Sequence, residues 1–363
     1  MEIKEVVLSI VVVCFLAQLF FMLFFYLRVS IHKNNQDKKT QEKTSLIICA
    51  RNEKENLEEH LESFLKQDYN DFELIVVNDR SWDNSIEFLN NMALKYPKLR
   101  VVDIPDDKTD HFGKKFALTL AIKAAKYQQL LLTDADCRPK ADKWIHKMIN
   151  SFDESTDVIL GASTYEKRKG ILNKLIRFDT AMIAVNYLSF AKAGMPYMGV
   201  GRNLAYKKKS YELAKGFKSH YYLASGDDDL LINQIANKKN TKIVLDEESI
   251  TISKPKENWK SWIFQKNRHH TTNVHYKLIH KVILLIQYVT NTLFYFGIIT
   301  LLFLQEFMFE ASILFGTKFL LSLIINWKPF KILLCKDLLV LFPIYEFILL
   351  ICQPIFQINW KKR

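Results

Sequence analysis

The sequence contains few cysteines and none of the glycine-rich motifs that bind nucleotides in many enzymes. Its five cysteines include no CxxC pair, which disfavours a disulfide framework and a zinc cluster. No GxGxxG follows the first predicted strand, and no GxxxxGK[ST] occurs anywhere. A dinucleotide-dependent dehydrogenase and a P-loop NTPase are therefore disfavoured. A bound nucleotide would need carboxylates and a metal ion in place of a glycine-rich loop.

Charge is distributed unevenly along the 363 residues. With 49% hydrophobic and 25% charged residues and a net charge of +12, the average composition is that of a soluble protein. Residues 1–27 and 281–363 depart from this average because both are strongly apolar. The basic excess could indicate nucleic-acid binding, but no nucleic-acid motif is recognisable. The cations collect beside the apolar runs, where anionic lipid headgroups would attract them, so we expect a membrane and no nucleic acid as partner.

The N-terminal apolar run is long enough to cross a membrane. Residues 6–27 carry no charge, and about 20 apolar residues span the hydrocarbon layer. A cleaved signal peptide is the alternative, but the run is longer than a usual signal core and no small-x-small cleavage site follows. We predict a transmembrane anchor over residues 1–30. Because Arg28, Lys33 and further lysines follow it, we expect a basic linker at 31–44 and then a cytoplasmic domain.

The C-terminal region contains one clear span and two weaker candidates. Residues 282–305 carry no charge, whereas 311–327 include Lys318 and 338–353 include Glu346. We expect these charges to face other helices or the interface. Four spans in all would place the three C-terminal cations outside the cell, against the positive-inside rule. Either the last segment is re-entrant or interfacial, or one weak span does not cross, so the region holds two or three spans.

Between the apolar ends, β-rich runs alternate with amphipathic helical stretches, a pattern typical of βαβ units on a parallel sheet. The predicted strands are 45–50, 72–79, 99–104 and 129–136. The predicted helices are 54–66, 83–95 and 114–126. Ligands of such sheets bind beyond the carboxyl ends of the strands. The sequence places polar residues at these ends, among them Arg51, Glu53, Asp79 and Asp134.

Two acidic motifs could carry chemistry. Asp134-Ala135-Asp136 follows a strand, where two carboxylates can hold Mg²⁺ or Mn²⁺, although a turn that caps the next helix gives the same pattern. Asp227 and Asp228 begin a predicted helix further along the chain. The helix dipole alone would favour carboxylates there. Like charges this close also raise one another's pKa, which suits a general base.

A third motif, Gln265-Lys266-Asn267-Arg268, precedes the clear C-terminal span. Trp259, Trp262 and the lysines near them indicate an amphipathic helix at the membrane surface. That interpretation explains Gln265 and Arg268 less well, although the two share one helix face. The predicted organisation is an anchor at 1–30, a linker at 31–44, an α/β domain at 45–256, an interfacial helix at 257–280 and a membrane region at 281–363.

The order of these motifs resembles that of the family 2 glycosyltransferases, specifically the membrane-integrated members with a GT-A fold, such as ceramide glucosyltransferase and the cellulose and hyaluronan synthases. The resemblance covers roughly residues 44–270. The elements in family order are Ala50-Arg51-Asn52-Glu53, Asn78-Asp79, Gly113-Lys114-Lys115-Phe116-Ala117-Leu118, Asp134-Ala135-Asp136, Gly226-Asp227-Asp228 and Gln265-x-x-Arg268. The resemblance implies a Rossmann-like α/β domain of GT-A type between N-terminal and C-terminal transmembrane helices.

The resemblance also implies roles for individual residues. Binding of the nucleotide sugar, a UDP- or GDP-sugar, is implied for Arg51, Glu53, Asp79, Lys114 and Asp134. Binding of the divalent metal, Mg²⁺ or Mn²⁺, is implied for Asp136 and less directly for Asp134. Asp228 resembles the base that takes the proton of the acceptor hydroxyl, with Asp227 beside it. Gln265 and Arg268 resemble the motif that closes over the diphosphate and the acceptor.

One position departs from the pattern of the processive family members, which have tryptophan where this chain has His269. We therefore expect an inverting, metal-dependent transferase that adds one sugar to a lipid or lipid-linked glycan acceptor at the cytoplasmic face of a bacterial membrane. One alternative is a processive polysaccharide synthase, and another is a catalytically silent scaffold that binds sugar nucleotides. Residues 195–206 fall where the family places backbone that contacts the acceptor, although a turn or bulge would explain their two glycines equally well.

Overall fold

The computed structural model describes residues 2–34, 42–105 and 113–358. Half of the linker predicted at 31–44, and the three C-terminal cations, lie outside the described residues. The chain divides into two compact units. The membrane unit comprises Met1–His32, Lys167–Ala193 and Lys256–Arg363, and the sheet unit comprises Lys33–Glu166 and Gly194–Pro255.

The elements are numbered in chain order. The strands are β1 Thr44–Ala50, β2 Phe72–Asp79, β3 Leu99–Ile104, β4 Gln129–Asp134, β5 Cys137–Pro139, β6 Val158–Leu160, β7 Ser163–Tyr165, β8 Leu204–Lys207, β9 Thr241–Ile243 and β10 Thr251–Ser253. The helices are α1 Ile3–Ser30, α2 Lys54–Leu65, α3 Ser85–Lys95, α4 Lys114–Ala124, α5 Trp144–Ile149, α6 Ile171–Lys192, α7 Lys208–Leu213, α8 Asp229–Ile235, α9 Trp259–Asn273, α10 Leu278–Leu304, α11 Met308–Ile332 and α12 Phe342–Gln357.

A seven-stranded sheet with the order β3-β2-β1-β4-β8-β6-β9 forms the centre of the sheet unit. Strands β3, β2, β1 and β4 are parallel, and β8 runs antiparallel to β4. Nearly every residue of β1 and β2 is buried, as expected for a parallel sheet covered on both faces. The predicted α/β fold is confirmed. Strands β2 and β3 have the predicted bounds, while β4 ends two residues earlier than predicted.

The early end of β4 creates a junction between two sheets. A smaller sheet has the order β5-β10-β7, and only Ala135 and Asp136 separate β4 in the large sheet from β5 in the small one. Ala135 is buried, so the two acidic residues beside it are directed by a tightly packed connection. The Asp134-Ala135-Asp136 motif therefore lies where the two sheets meet.

Among its described residues, the membrane unit contains three helices that are long and apolar enough to cross a membrane, namely α1, α10 and α11. Helix α12 is apolar but shorter, with 16 residues. Helix α1 includes a π-helical segment at Phe21–Tyr26, and its Gln18 donates a hydrogen bond of 2.7 Å to Thr290 of α10. As expected for the charges of the two weaker spans, Lys318 and Glu346 face each other, at 2.5 Å.

Helix α6 interrupts the α/β domain that the sequence predicts as continuous over 45–256. It belongs to the membrane unit, because most of its residues are buried among the helices of that unit. The ring centroids of Phe190 and Phe25 lie 4.3 Å apart, and Arg177 donates to both carboxylate oxygens of Asp337, at 3.0 and 2.7 Å. Apolar and charged contacts thus both hold α6 in the membrane unit.

Candidate active site

Asp228 is held by backbone amides at the start of helix α8. One carboxylate oxygen, Oδ2, accepts a hydrogen bond of 2.7 Å from the amide of Gly201, and Oδ1 accepts one of 2.8 Å from the amide of Asp229. Gly226, two residues earlier, has φ +97°, a conformation that side-chain-bearing residues rarely adopt. The glycine turn and the two amides together fix the direction of the Asp228 carboxylate.

Lys114 joins the two acidic motifs that the sequence places about 90 residues apart. Its ammonium nitrogen lies 2.6 Å from Asp134 Oδ1 and 3.1 Å from Asp227 Oδ2. It is the first residue of α4 and follows Gly113, which has φ +94°. The structure therefore brings Lys114, Asp134 and Asp227 into direct contact beyond the carboxyl end of β4.

The two adjacent aspartates of this cluster differ in acidity. Burial, together with the negative charges of Asp227 and Asp229, raises the pKa of Asp228 to about 7. Burial also opposes ionisation of Asp227, but the neighbouring Lys114 outweighs it and lowers the pKa of Asp227 below its usual value. Near neutral pH, Asp227 is thus a stable counter-charge for Lys114, and Asp228 is poised to take up a proton.

A candidate metal site lies beside Lys114, at the junction of the two sheets. Ligand atoms of Asp134, Asp136 and Cys137 lie within 4.8 Å of one another. Burial, and then the charges of the two aspartates, raises the pKa of the Cys137 thiol well above its usual value, and its sulfur lies 2.9 Å from the hydroxyl oxygen of Ser253. The donors available near neutral pH are therefore carboxylate oxygens, which fit Mg²⁺ or Mn²⁺.

The ends of β1 and β2 form a neighbouring rim. The amide of Asn52 donates to the hydroxyl of Ser81 at 2.9 Å, and the Asn52 side-chain oxygen accepts from the amide of Trp82 at 2.9 Å. Arg51 is exposed and Glu53 is half-buried. Of the residues predicted to hold the nucleotide, Arg51 and Glu53 thus lie on this rim.

Asp79, by contrast, is buried and already has a cationic partner. Arg80 donates to its Oδ1 from Nε at 2.8 Å and from a terminal nitrogen at 2.6 Å. The sequence reasoning missed Arg80, although an arginine directly after a strand-end aspartate was the available signal. Asp79 therefore differs from Arg51 and Glu53 in having its carboxylate engaged by the protein itself.

Three further residues near the cluster have contacts that the sequence pattern did not predict. Lys115 is buried and donates to the carbonyls of His220 and Leu223 at 2.6 and 3.0 Å, which fixes the loop before Gly226. Gly201 supplies an amide to Asp228. Arg202 lies with its guanidinium carbon 4.5 Å from the centroid of the Tyr165 ring. The glycine-containing stretch 195–206 was the only sequence signal for the last two.

Gln265 and Arg268 lie in the membrane unit, on helix α9. Gln265 is half-buried, whereas Arg268 and His269 are exposed. Between them, Lys266 is buried and forms an ion pair with Asp179 of α6, at 3.1 and 2.8 Å from its two carboxylate oxygens. The helix predicted within 257–280 ends at Asn273, so the motif occupies its central turns.

A Rossmann-like sheet with acidic motifs beyond its strand ends defines the GT-A class of glycosyltransferase folds. Residues 45–212 match the family model described as Glycosyl transferase family 2. Residues 45–212 therefore form a domain similar to those of the family 2 glycosyltransferases. A solved structure of the mannosyltransferase PcManGT from Pyrobaculum calidifontis in complex with GDP-Man and Mn²⁺ shares the fold, with a TM-score of 0.60, 17% identity and coverage of 95% of this chain and 99% of that one.

Two curated relatives each match little more than a third of this chain. The chain is 30% identical over 129 residues to the uncharacterized glycosyltransferase YkcC of Bacillus subtilis (strain 168), a match that covers 35% of this chain and 38% of the relative. It is 28% identical over 141 residues to a poly-beta-1,6-N-acetyl-D-glucosamine synthase of Staphylococcus epidermidis, a match that covers 38% of this chain and 33% of the relative. The chain thus spans little more than a third of the length of these two relatives.

Proposed function

We propose that the protein is an inverting, metal-dependent glycosyltransferase that moves one sugar from a UDP- or GDP-sugar to a lipid or lipid-linked glycan acceptor. Two observations support the class of donor and cofactor: residues 45–212 match the family model described as Glycosyl transferase family 2, and the similar fold of PcManGT was solved in complex with GDP-Man and Mn²⁺. The three helices long enough to cross a membrane support a lipid-linked acceptor. The cations that follow α1 favour a catalytic domain on the cytoplasmic side of a bacterial membrane.

The observation that carries the proposal is that a buried carboxylate, Asp228, lies beside a cluster of charges centred on Lys114. Asp228 has a pKa of about 7 and is held by two amides, which suits a general base. Lys114 bridges Asp134 and Asp227 at 2.6 and 3.1 Å, so positive charge lies beside the acidic motif. One side of the site can accept a proton, while Lys114 together with a divalent cation on the acidic motif would stabilise negative charge on the other side.

In the proposed reaction, the oxygen of the acceptor hydroxyl forms a bond to the anomeric carbon as the bond from that carbon to the diphosphate breaks. The proton of the hydroxyl passes to Asp228, and the diphosphate leaves with the electron pair. Asp134 and Asp136 would hold Mg²⁺ or Mn²⁺, which supplies positive charge to the leaving diphosphate. Because a single displacement suffices, the anomeric configuration is inverted and no carboxylate nucleophile is required.

The remaining predicted residues have proposed roles that depend on the motif order. Arg51, Glu53 and Asp79 are proposed to hold the nucleoside, and the Arg80 partner of Asp79 would keep that carboxylate oriented. Gln265 and Arg268 are proposed to bind the diphosphate and the acceptor.

The test is an assay of the full chain in detergent against a panel of UDP- and GDP-sugars with Mg²⁺ or Mn²⁺. Release of nucleoside diphosphate is measured with and without a membrane lipid extract, and EDTA-treated protein is the blank. We expect release from one donor that requires both lipid and metal. Absence of release from every donor would contradict the proposed activity, and release without lipid would contradict the acceptor class.

A processive polysaccharide synthase is the second candidate because one relative is a poly-beta-1,6-N-acetyl-D-glucosamine synthase. His269 in place of the tryptophan of processive members favours single addition. Mass spectrometry of the product at low ratios of acceptor to donor separates the two. We expect one added sugar per acceptor, whereas a ladder of products would favour the processive synthase.

A further inference from the structure

We propose that Arg202 is a second cationic group for the diphosphate of the donor, supplied by the sheet unit beside the metal ligands Asp134 and Asp136. The inference rests on the proposed function, because it assumes a nucleoside diphosphate as donor group. It adds to that function a binding side chain within residues 195–206, for which the resemblance implies only a backbone contact with the acceptor.

The backbone places Arg202 between the proposed base and the proposed metal ligands. The residue lies in the short helical turn Gly201–Asn203. Its carbonyl accepts hydrogen bonds of 2.9 Å from the hydroxyls of Thr133 and Thr251, and Thr133 directly precedes Asp134 in β4. The amide on its other side, that of Gly201, donates to Asp228. One turn of the chain therefore connects the two parts of the site.

The side chain of Arg202 is held but not fully paired. Its guanidinium carbon lies 4.5 Å from the centroid of the buried Tyr165 ring, an arrangement that fixes the plane of the group and leaves its edge available for hydrogen bonds. Its Nη1 atom is buried and has no hydrogen-bond partner within the described residues. An unpaired buried donor is unfavourable, which is the arrangement expected of a group whose partner is a ligand.

The charges around Arg202 indicate which ligand it would take. Asp136 and Asp134 carry the negative charges that act on the guanidinium. When a divalent cation occupies the carboxylates of Asp134 and Asp136, these two no longer offset the positive charge of Arg202. A phosphate oxygen is then the matching partner, because the planar guanidinium binds phosphate through two hydrogen bonds.

The test measures binding to the full chain in detergent rather than turnover. Uridine, UMP and UDP, and the guanosine series in parallel, are titrated with Mn²⁺ into the unaltered chain, Arg202→Gln and Arg202→Lys. Mn²⁺ alone is titrated in separate experiments. For Arg202→Gln we expect a loss of tenfold or more in diphosphate affinity, on the order of one charged hydrogen bond, with nucleoside affinity unchanged. We expect Arg202→Lys to bind the diphosphate more weakly than the unaltered chain and more strongly than Arg202→Gln.

The affinity for Mn²⁺ alone should not fall together with the affinity for diphosphate. Removing a positive charge beside two carboxylates should leave Mn²⁺ affinity unchanged or higher. Diphosphate affinity equal to that of the unaltered chain would overturn the proposal and leave Arg202 as a counter-charge for the acidic motif. Equal losses for nucleoside and diphosphate, or weaker Mn²⁺ binding, would also overturn it, because they indicate a disrupted site.

Failure of this inference is distinguishable from failure of the proposed function. If the unaltered chain transfers sugar and Arg202→Gln binds diphosphate normally, only the role of Arg202 is wrong. If the unaltered chain binds no nucleoside diphosphate, both proposals are wrong.

Discussion

Buried charge is arranged differently in the membrane unit and in the sheet unit. The membrane unit has close one-to-one contacts, Lys266 with Asp179 and Lys318 with Glu346. In the sheet unit, Lys114 contacts two carboxylates at once, and Asp228 takes backbone amides as partners instead of a cation. Matched pairs hold helices at fixed positions, whereas an excess of carboxylates is costly until cations bind. The membrane-unit pairs, like Asp79 with Arg80 in the sheet unit, are charges that build the protein. We propose that the charges around Lys114 and Asp228 are instead reserved for ligands.

The largest expected effect is on sugar transfer, when Asp228, the proposed general base, is replaced. Asp228→Asn keeps the size of the side chain but removes the basic oxygen, so we expect sugar transfer to fall by a factor of about 1,000 or more. Affinity for nucleoside diphosphate should stay within about twofold, because other residues are proposed to bind it. Both quantities are measured on the same detergent preparation.

Asp71→Asn is the matched control for this substitution. Asp71 is exposed and directly precedes β2, so it lies at the amino-terminal end of the strand, whereas the site lies beyond the carboxyl ends. Its replacement should therefore leave sugar transfer unchanged. Transfer that persists in Asp228→Asn would show that another group takes the proton.

The membrane unit offers the converse experiment, in which a matched pair is broken. Lys266→Met leaves Asp179 as an uncompensated buried carboxylate, and the expected loss in free energy of unfolding is about 3 kcal/mol. Adding Asp179→Leu removes the second charge and should recover much of that loss. Thermal unfolding in detergent reports both changes.

Lys260→Met provides the comparison on the same helix. Lys260 is exposed, and its replacement should change stability by no more than about 0.5 kcal/mol. A Lys266→Met variant as stable as Lys260→Met would show that the pair of Lys266 with Asp179 does not stabilise the fold, which would contradict the comparison between the two units.

The third prediction concerns the acidic motif at the junction of the sheets. Asp136→Ala removes one of the two proposed oxygen ligands, so Mn²⁺ should no longer strengthen the binding of nucleoside diphosphate. We expect a loss of about 10- to 100-fold in the Mn²⁺-dependent affinity, comparable with the loss of a group that supports a metal site. Isothermal titration with and without Mn²⁺ measures it.

Asp142→Ala, at an exposed position shortly after β5, should behave like the unaltered chain. Asp136→Ala that kept its metal-dependent binding would show that the cation lies elsewhere.

The parallel half of the fold was predictable because each strand is an apolar run that ends in polar residues. The same reasoning placed Asp134, Asp136 and Asp228 among the candidate site residues. It could not find the bridge formed by Lys114, because that contact exists only where the starts of α4 and α8 meet the end of β4. Arg202 was missed for the same reason, since Thr133, Tyr165 and Thr251 come from three different strands.

The membrane unit showed another limit of sequence reasoning. Helix α6 has the pattern of an amphipathic helix inside an α/β domain, and its Arg177 and Asp179 are charged residues expected at a surface. Their partners, Asp337 and Lys266, lie some 160 and 87 positions away. Because each of these charged side chains has a partner far away in the sequence, it can be buried, and only the packed structure reveals that partner.

The smallest expected effect is a pH dependence that belongs to the reserved charges. The base must be ionised to accept a proton, and the pKa of Asp228 is about 7. At low donor concentration, kcat/KM reports the free enzyme, so it should rise about tenfold per pH unit below pH 7 and level off above it. An ordinary aspartate would instead give a flat profile from about pH 5 upward. A flat profile for this chain would mean that burial and the neighbouring Asp227 do not raise the pKa of Asp228 in the working enzyme, and Asp228 would then resemble the matched carboxylates of the membrane unit.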